Sequence, residues 1–206
     1  MQRIYFYKLT VDNGGAPCVQ NGLLSLAICK PMIRTTAKPG DLIFGFAANS
    51  LRPADNRLIY VARVTKKLTK GDYYVQSKFG SRGDCIYEQH KGQFRRRAKA
   101  RYHDKATDIT HDLGRKYERA NVLLSSDFRY FGASGTDDYK AQFPRIARAI
   151  SNLKRGARVH HNELLRDELL NLKDQVWAKS SRKVLGQPSN GPSPTACLRG
   201  RSCGVC

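Results

Sequence analysis

A lysine, a proline and an arginine at Lys30-Pro31-x-x-Arg34 form a pattern that could bind phosphate. The residue before a proline avoids the helical region, so Pro31 fixes a turn between the two cations. A guanidinium forms bidentate hydrogen bonds with phosphate oxygens, and an ammonium adds a point charge. The pattern predicts a phosphate-binding corner at the mouth of a cleft. The alternative is a surface corner whose charges face water.

A polar, glycine-rich loop at residues 12–17 is a second candidate site. Glycine lets the backbone approach a ligand closely, and the side chains of Asp12 and Asn13 could hydrogen-bond the edge of a base. Aromatic side chains farther along the chain could stack on that base, or they could equally be the core and rim of a strand pair. The residues predicted to bind a base or nucleotide are Asp12, Asn13, Gly14, Gly15, Lys30, Arg34, Tyr130 and Phe131.

The candidates for general acid–base chemistry are Asp12, Asp41, His160 and His161. Asp41 follows a glycine in a turn, where an aspartate often bonds its own backbone instead. The two histidines are adjacent and point in different directions, so they are poor partners at one site. This favours a role for them at the surface or at a helix start. The sequence does not decide which of these groups, if any, is catalytic.

The charge balance points to a polyanionic partner. The chain has 37 lysines and arginines against 17 aspartates and glutamates, a net charge of +20, and residues 91–160 carry half of this excess. Cations that neutralise phosphates release counterions, which drives binding without reading sequence. The alternative is a solvated basic loop or helix face. The residues predicted to contact a nucleic-acid backbone are Arg95, Arg96, Arg97, Lys99 and Arg101.

Metal and cofactor signals are weak. Cys197, Cys203 and Cys206 resemble part of a zinc site, but a structural site needs four ligands, so an unliganded tail is favoured. The chain contains neither GxGxxG nor GxxxxGK[ST], the fingerprints of dinucleotide and triphosphate sites. We therefore expect no cofactor.

The predicted location is the cytoplasm, without a membrane segment. No window approaches 18 uncharged apolar residues, and the first eight residues lack the apolar core of a signal peptide. The cysteines of a cytoplasmic chain are expected to be thiols or ligands rather than disulfides. The oligomeric state cannot be read from the sequence.

The order of predicted elements indicates an α+β fold with a small mixed sheet or a partly open barrel and flanking helices. Strands come early and helices late along the chain. We expect one domain at residues 1–185, with a basic insertion near 91–120, and a flexible cysteine-containing tail at 186–206. Strands are predicted at 3–11, 42–46, 58–64, 121–125 and 128–131, and helices at 140–153 and 162–179.

Several stretches resemble the nucleotide-modification-associated domains of phage and bacterial genomes, over most of residues 3–165. The stretches are Arg3-Ile4-Tyr5, the loop at 12–17, Leu24-Ser25-Leu26-Ala27-Ile28-Cys29-Lys30-Pro31-x-Ile33-Arg34, the strand at 41–46 and the segment at 123–132. The resemblance implies association with modified DNA bases. The Gly-Asp turn before an apolar strand also resembles the PUA, ASCH and EVE superfamily, whose small β-barrels hold a base in a cleft.

Three functional hypotheses follow. The first is binding of nucleic acid, DNA rather than RNA, or of a nucleotide, with recognition of a modified base in DNA modification or phage–host conflict. The second is a transferase or hydrolase that modifies a nucleotide or DNA base. The third is an accessory protein that binds nucleic acid through charge alone. The sequence favours binding over catalysis because no donor-cofactor site is readable.

Overall fold

The computed structural model describes residues 2–51, 56–154 and 156–190. Its strands are β1 (Ile4–Leu9), β2 (Cys18–Gln20), β3 (Leu23–Leu26), β4 (Leu42–Ala47), β5 (Leu58–Arg63), β6 (Lys66–Leu68), β7 (Tyr87–His90), β8 (Gln93–Arg96), β9 (Val122–Ser125), β10 (Asp127–Tyr130) and β11 (Ala157–Arg158). Its α-helices are α1 (Pro31–Thr36), α2 (Asp72–Val75), α3 (Asp108–Leu113), α4 (Tyr139–Gln142), α5 (Pro144–Ser151) and α6 (Glu163–Lys179).

The strands form three sheets. The central sheet has the order β10-β5-β4-β1-β11, in which β1 and β4 are parallel and the other pairs antiparallel. A second, antiparallel sheet has the order β2-β3-β9-β6, and β7 and β8 form a hairpin. The prediction of an α+β fold with a mixed sheet is confirmed. Within the described residues, the sheets do not close into a barrel.

The central sheet is covered on both faces, as the alternation of side chains along β1 requires. Ile4 and Phe6 belong to a core formed with α5 and α6. Tyr5 and Tyr7 belong to a core on the opposite face, which includes Ile33 of α1. All residues of β4 are buried, because this strand lies in the middle of the sheet between two cores. The two faces therefore separate the region around Tyr7 and α1 from the region around the C-terminal helices.

A helix predicted over residues 140–153 is divided in two. Phe143 interrupts it with φ −127° and ψ 70°, and α5 begins at Pro144. A residue before proline is pushed out of the helical region, and this local effect overrides the apolar periodicity. The predicted helix at 162–179 is confirmed as α6, whose first turn is capped by the Asn162 side chain, which accepts from the Leu165 N–H.

The segment at residues 183–190 crosses the domain surface and is bound along its length. Tyr130 exchanges backbone hydrogen bonds with Lys183 and Leu185. Ser189 donates from its N–H and its hydroxyl to a carboxylate oxygen of Asp12, each at 2.9 Å. Residues 186–190 of the predicted tail therefore pack against the domain, and residues 191–206 lie outside the described residues.

Replacing Asp12 with alanine should lower the free energy of unfolding by about 2 to 3 kcal/mol. The carboxylate is fully buried, and its loss leaves the Tyr130 hydroxyl and both Ser189 donors without their acceptor. Asp137→Ala is the matched control, because this exposed carboxylate pairs with Lys140 at the surface. Urea unfolding should show a change within about 0.5 kcal/mol for the control. Equal effects in the two variants would contradict the role given to Asp12.

Candidate functional site

Asp112, near the end of α3, is a fully buried carboxylate that accepts three hydrogen bonds. Its Oδ1 accepts from the Cys29 N–H at 2.9 Å. Its Oδ2 accepts from the Tyr87 hydroxyl at 2.8 Å and lies 2.6 Å from His103 Nδ1. One carboxylate therefore joins α3, the hairpin strand β7, the loop after β8 and the segment between β3 and α1.

Arg34 of α1 supplies the opposite charge. Its guanidinium is fully buried and lies 3.6 Å from the Asp112 carboxylate. The same guanidinium donates to backbone carbonyls at 2.6 to 3.0 Å, those of Cys29, Asp112, Arg119 and Asn121. A buried charge pair is stable only when its remaining donors and acceptors are also satisfied, and here they are. Arg34 is therefore bound to protein atoms rather than presented to a phosphate.

Cys29 and Lys30 occupy the turn between β3 and α1 in a left-handed backbone conformation, with φ of 56° and 44°. Residues other than glycine rarely adopt this conformation, and they persist in it where surrounding contacts fix them. Both backbone polar groups of Cys29 are held, the N–H by Asp112 and the carbonyl by Arg34. A strand–turn–helix of this kind presents the nucleophile in some hydrolase folds.

The Cys29 thiol faces an imidazole that is itself oriented by a carboxylate. Cys29 Sγ lies 3.3 Å from His103 Nε2, and His103 Nδ1 lies 2.6 Å from Asp112 Oδ2. Burial acts to raise the pKa of Asp112, but the hydrogen bond and charge of His103, followed by the charge of Arg34, outweigh it and hold the pKa below its ordinary value. An ionised carboxylate can only accept, so His103 Nδ1 donates to it. In the neutral imidazole the second nitrogen, Nε2, is then placed to accept from the thiol.

This arrangement of thiol, imidazole and carboxylate can perform nucleophilic catalysis. The imidazole removes the thiol proton, the thiolate attacks, and the carboxylate keeps the imidazole in the required tautomer. The other described thiols lack such a partner arrangement: burial raises the pKa of Cys18 to about 12 and that of Cys85 to about 11. Cys29 is therefore the candidate nucleophile of the described part of the chain.

Part of the predicted base-binding loop lies against this site. Tyr102, the residue before His103, donates from its hydroxyl to the Asn13 carbonyl at 3.1 Å. Gly15 approaches the Tyr102 ring so closely that a Cβ would lie 3.1 Å from three ring carbons. The Lys30 ammonium lies 4.8 Å from the centre of the Tyr7 ring. Lys30, which follows Cys29, and Asn13 and Gly15, which contact the residue before His103, are thus the predicted binding residues nearest to this site along the chain.

The other predicted binding residues are engaged elsewhere. Tyr130 is buried and donates from its hydroxyl to Asp12 at 2.7 Å, so these two residues bind each other. Gly14 lies between Tyr102 and Pro188. Phe131 packs against the core on the opposite face of the central sheet.

The predicted acid–base residues other than Asp12 lie away from Cys29. Asp41 accepts from the N–H of Arg3 at 2.8 Å and from the N–H of Lys38 in its own turn at 2.9 Å. His161 is stacked on Phe6, and its Nε2 lies 2.7 Å from the Ile4 carbonyl oxygen. Burial lowers the pKa of His161. His160 is exposed, and its carbonyl accepts from Arg158.

The predicted backbone-binding cluster divides into two groups. Arg95 pairs with Glu88 at 2.9 Å. Arg96 donates to two carbonyls of its own loop, and Arg97 donates to the Tyr87 carbonyl. Lys99 and Arg101 are exposed at the wall of a surface cavity.

Neither a metal cluster nor a membrane helix is found in the described residues. No group of three or more histidine, cysteine, aspartate or glutamate side chains there could hold a metal ion. No helix in the described ranges is long and apolar enough to cross a membrane. The tail residues Cys197, Cys203 and Cys206 lie outside the described residues.

Sequence reasoning missed His103 and Asp112, and it assigned no role to the Cys29 side chain. A cysteine with a histidine and an aspartate elsewhere in the chain is a general signal for a nucleophile. Six cysteines and five histidines give many such combinations, and no spacing selects one. The local signal that could have helped is the position of Cys29 in the turn before Pro31.

Iodoacetamide should alkylate Cys29 at least about tenfold faster than Cys18 or Cys85 near neutral pH, because the thiolate is the reacting species. His103→Ala should slow alkylation of Cys29 by about tenfold, and Asp112→Asn should slow it in the same direction. Peptide mapping by mass spectrometry measures each cysteine separately, with Cys18 and Cys85 as internal controls. A rate at Cys29 that is unchanged in both variants would contradict the arrangement described.

Comparison with known proteins agrees with the resemblance seen in the sequence. The model of the family described as nucleotide modification associated domain 2 matches residues 1–191. No curated protein and no solved structure matches the chain. The family match covers the loop at 13–15, the turn at Cys29 and the segment that carries His103 and Asp112. With so much of its length matched, the chain belongs to the nucleotide modification associated domain 2 family.

Proposed function

We propose that this domain is a cysteine-dependent transferase or hydrolase that acts on an acyl-type group of a modified DNA base or nucleotide. The observation that carries the proposal is the alignment of Cys29 Sγ, the His103 ring and the Asp112 carboxylate, with contacts of 3.3 and 2.6 Å. Family membership and the net charge of +20 support a nucleic-acid or nucleotide substrate. The enzyme hypothesis is thus preferred to recognition of a base without turnover.

The first half of the reaction forms a thioester. His103 Nε2 takes the thiol proton of Cys29, and the thiolate sulfur attacks the carbonyl carbon of the substrate, whose π electrons move onto oxygen. The tetrahedral intermediate collapses, the bond from carbon to the leaving nitrogen or oxygen breaks, and His103 gives its proton to that leaving atom. The acyl group is then bound to Cys29 Sγ.

The second half releases the acyl group. Water, or an amine in a transfer reaction, attacks the thioester carbonyl while His103 Nε2 takes its proton. Collapse of the second tetrahedral intermediate breaks the carbon–sulfur bond, and the thiolate recovers a proton from His103. Asp112 stabilises the imidazolium in both halves without being protonated itself, which fits its lowered pKa.

Oligonucleotides carrying N4-acetylcytosine or N6-acetyladenine provide a direct test. After incubation, digestion to nucleosides and mass spectrometry should show loss or transfer of the acetyl group. Cys29→Ala should reduce this rate by at least about a thousandfold, and Asp112→Asn by about a hundredfold or more. His160→Ala is the control and should retain the wild-type rate, because this exposed histidine lies apart from the thiol.

Two outcomes would contradict the proposal. The first is a wild-type rate in Cys29→Ala, which would place the chemistry elsewhere. The second is tight binding of the modified oligonucleotide without turnover, equal in the wild type and in Cys29→Ala. That result would favour recognition of a modified base as the function.

A further inference from the structure

A cavity of about 730 Å³ opens to solvent on the wall formed by residues 97–102. The loop at residues 80–83 also lines it and includes the Arg82 side chain, which is 5% exposed. Tyr102 also lines the cavity, and the next residue in the chain is His103. The cavity and the candidate catalytic imidazole therefore share one segment of backbone.

The lining of this cavity is strongly basic. Four cations contribute to it, namely Arg82, Arg97, Lys99 and Arg101, against the single carboxylate of Glu88. That carboxylate is already paired with Arg95 at 2.9 Å. Arg82 is itself paired with the buried carboxylate of Asp84 at 3.6 Å. The excess of positive charge therefore comes from Arg97, Lys99 and Arg101, whose fields add in a concave surface.

The four cations have different roles. Arg82 donates to the Gln20 and Cys18 carbonyls and to the Ser25 hydroxyl, and Arg97 donates to the Tyr87 carbonyl, so both are fixed by the fold. Lys99 and Arg101 are exposed and make no hydrogen bond or ion pair within the described part of the chain. Lys99 and Arg101 therefore offer donors that a phosphate group can use, beside cations that the fold already holds in place.

We propose that this cavity binds the phosphate groups of the substrate through Lys99 and Arg101, and that it thereby places the attached nucleoside beside Cys29 and His103. The substrate class is a nucleoside that carries phosphate, either as a free nucleotide or within a nucleic-acid strand. The link to Cys29 rests on the proposed function, but phosphate binding by the cavity does not. The order of the chain supports the link, because Tyr102 contacts both the cavity and the loop at 13–15.

Binding is measured with the full chain carrying Cys29→Ser, so that turnover cannot affect the result. The ligands are a fluorescein-labelled oligonucleotide, a nucleoside triphosphate and the corresponding nucleoside without phosphate. Lys99→Ala/Arg101→Ala should raise the Kd for phosphate-bearing ligands by about tenfold. Between about 0.05 and 0.2 M salt, the slope of log Kd for the oligonucleotide against log salt concentration should also decrease, by the contribution of about two phosphate contacts.

Arg115→Ala/Lys116→Ala is the matched control. It removes the same charge from exposed positions of the same segment that do not line the cavity, and it should change the Kd by about twofold or less. Circular dichroism establishes that both double variants remain folded. Binding of the triphosphate but not of the oligonucleotide identifies a free nucleotide as the source of phosphate, and binding of the oligonucleotide identifies a strand.

Equal weakening in the two double variants would overturn the proposal, because charge alone would then explain binding. An unchanged Kd in Lys99→Ala/Arg101→Ala would overturn it as well, as would equal binding of the nucleoside without phosphate. These outcomes are separate from a failure of the proposed function. A protein without acyl-transfer activity can still bind phosphate here, and an active protein can bind phosphate elsewhere.

Discussion

The Asp112 carboxylate carries its charge in the protein interior, where an unpaired ion would be too costly to persist. The fully buried guanidinium of Arg34 lies 3.6 Å away and supplies the balancing charge. Hydrogen bonds from Cys29, Tyr87 and His103 satisfy the carboxylate oxygens. These partners come from separate parts of the chain, so the carboxylate is fully satisfied only when α1, α3 and the β7–β8 hairpin have come together. Loss of either charge would leave the other buried and unpaired.

The same pair explains why the Cys29 turn is available for chemistry. A left-handed conformation at two successive non-glycine residues is unfavourable by itself. Asp112 and Arg34 hold the two backbone polar groups of Cys29 in this conformation, while Asp112 also fixes the His103 ring. The interactions that stabilise the fold here are therefore the ones that aim the imidazole at the thiol. This coupling makes the site rigid before a substrate arrives, which is a condition for efficient nucleophilic catalysis.

The regular elements could be predicted from the sequence better than the site could. Apolar runs identified β4 and β5, and apolar periodicity identified α6. The division between α4 and α5 depends on the local geometry before Pro144, which periodicity does not register. Cys29 lies 74 residues from His103 and 83 from Asp112, and only tertiary packing brings them together. Arg34 was selected from the sequence for its charge, but burial directs that charge to Asp112 instead of a ligand.

The protonation state of His103 decides whether Cys29, His103 and Asp112 act together, because the proposed chemistry requires a proton on Nδ1 and Nε2 directed at the thiol. Nitrogen NMR of protein labelled at histidine distinguishes the two ring nitrogens. We expect a hydrogen-bonded Nδ1–H on His103 that is lost in Asp112→Asn, and an Nε2 resonance that shifts in Cys29→Ser. A proton fixed on Nε2, with spectra that neither substitution changes, would contradict the assignment of Cys29, His103 and Asp112 as one catalytic unit.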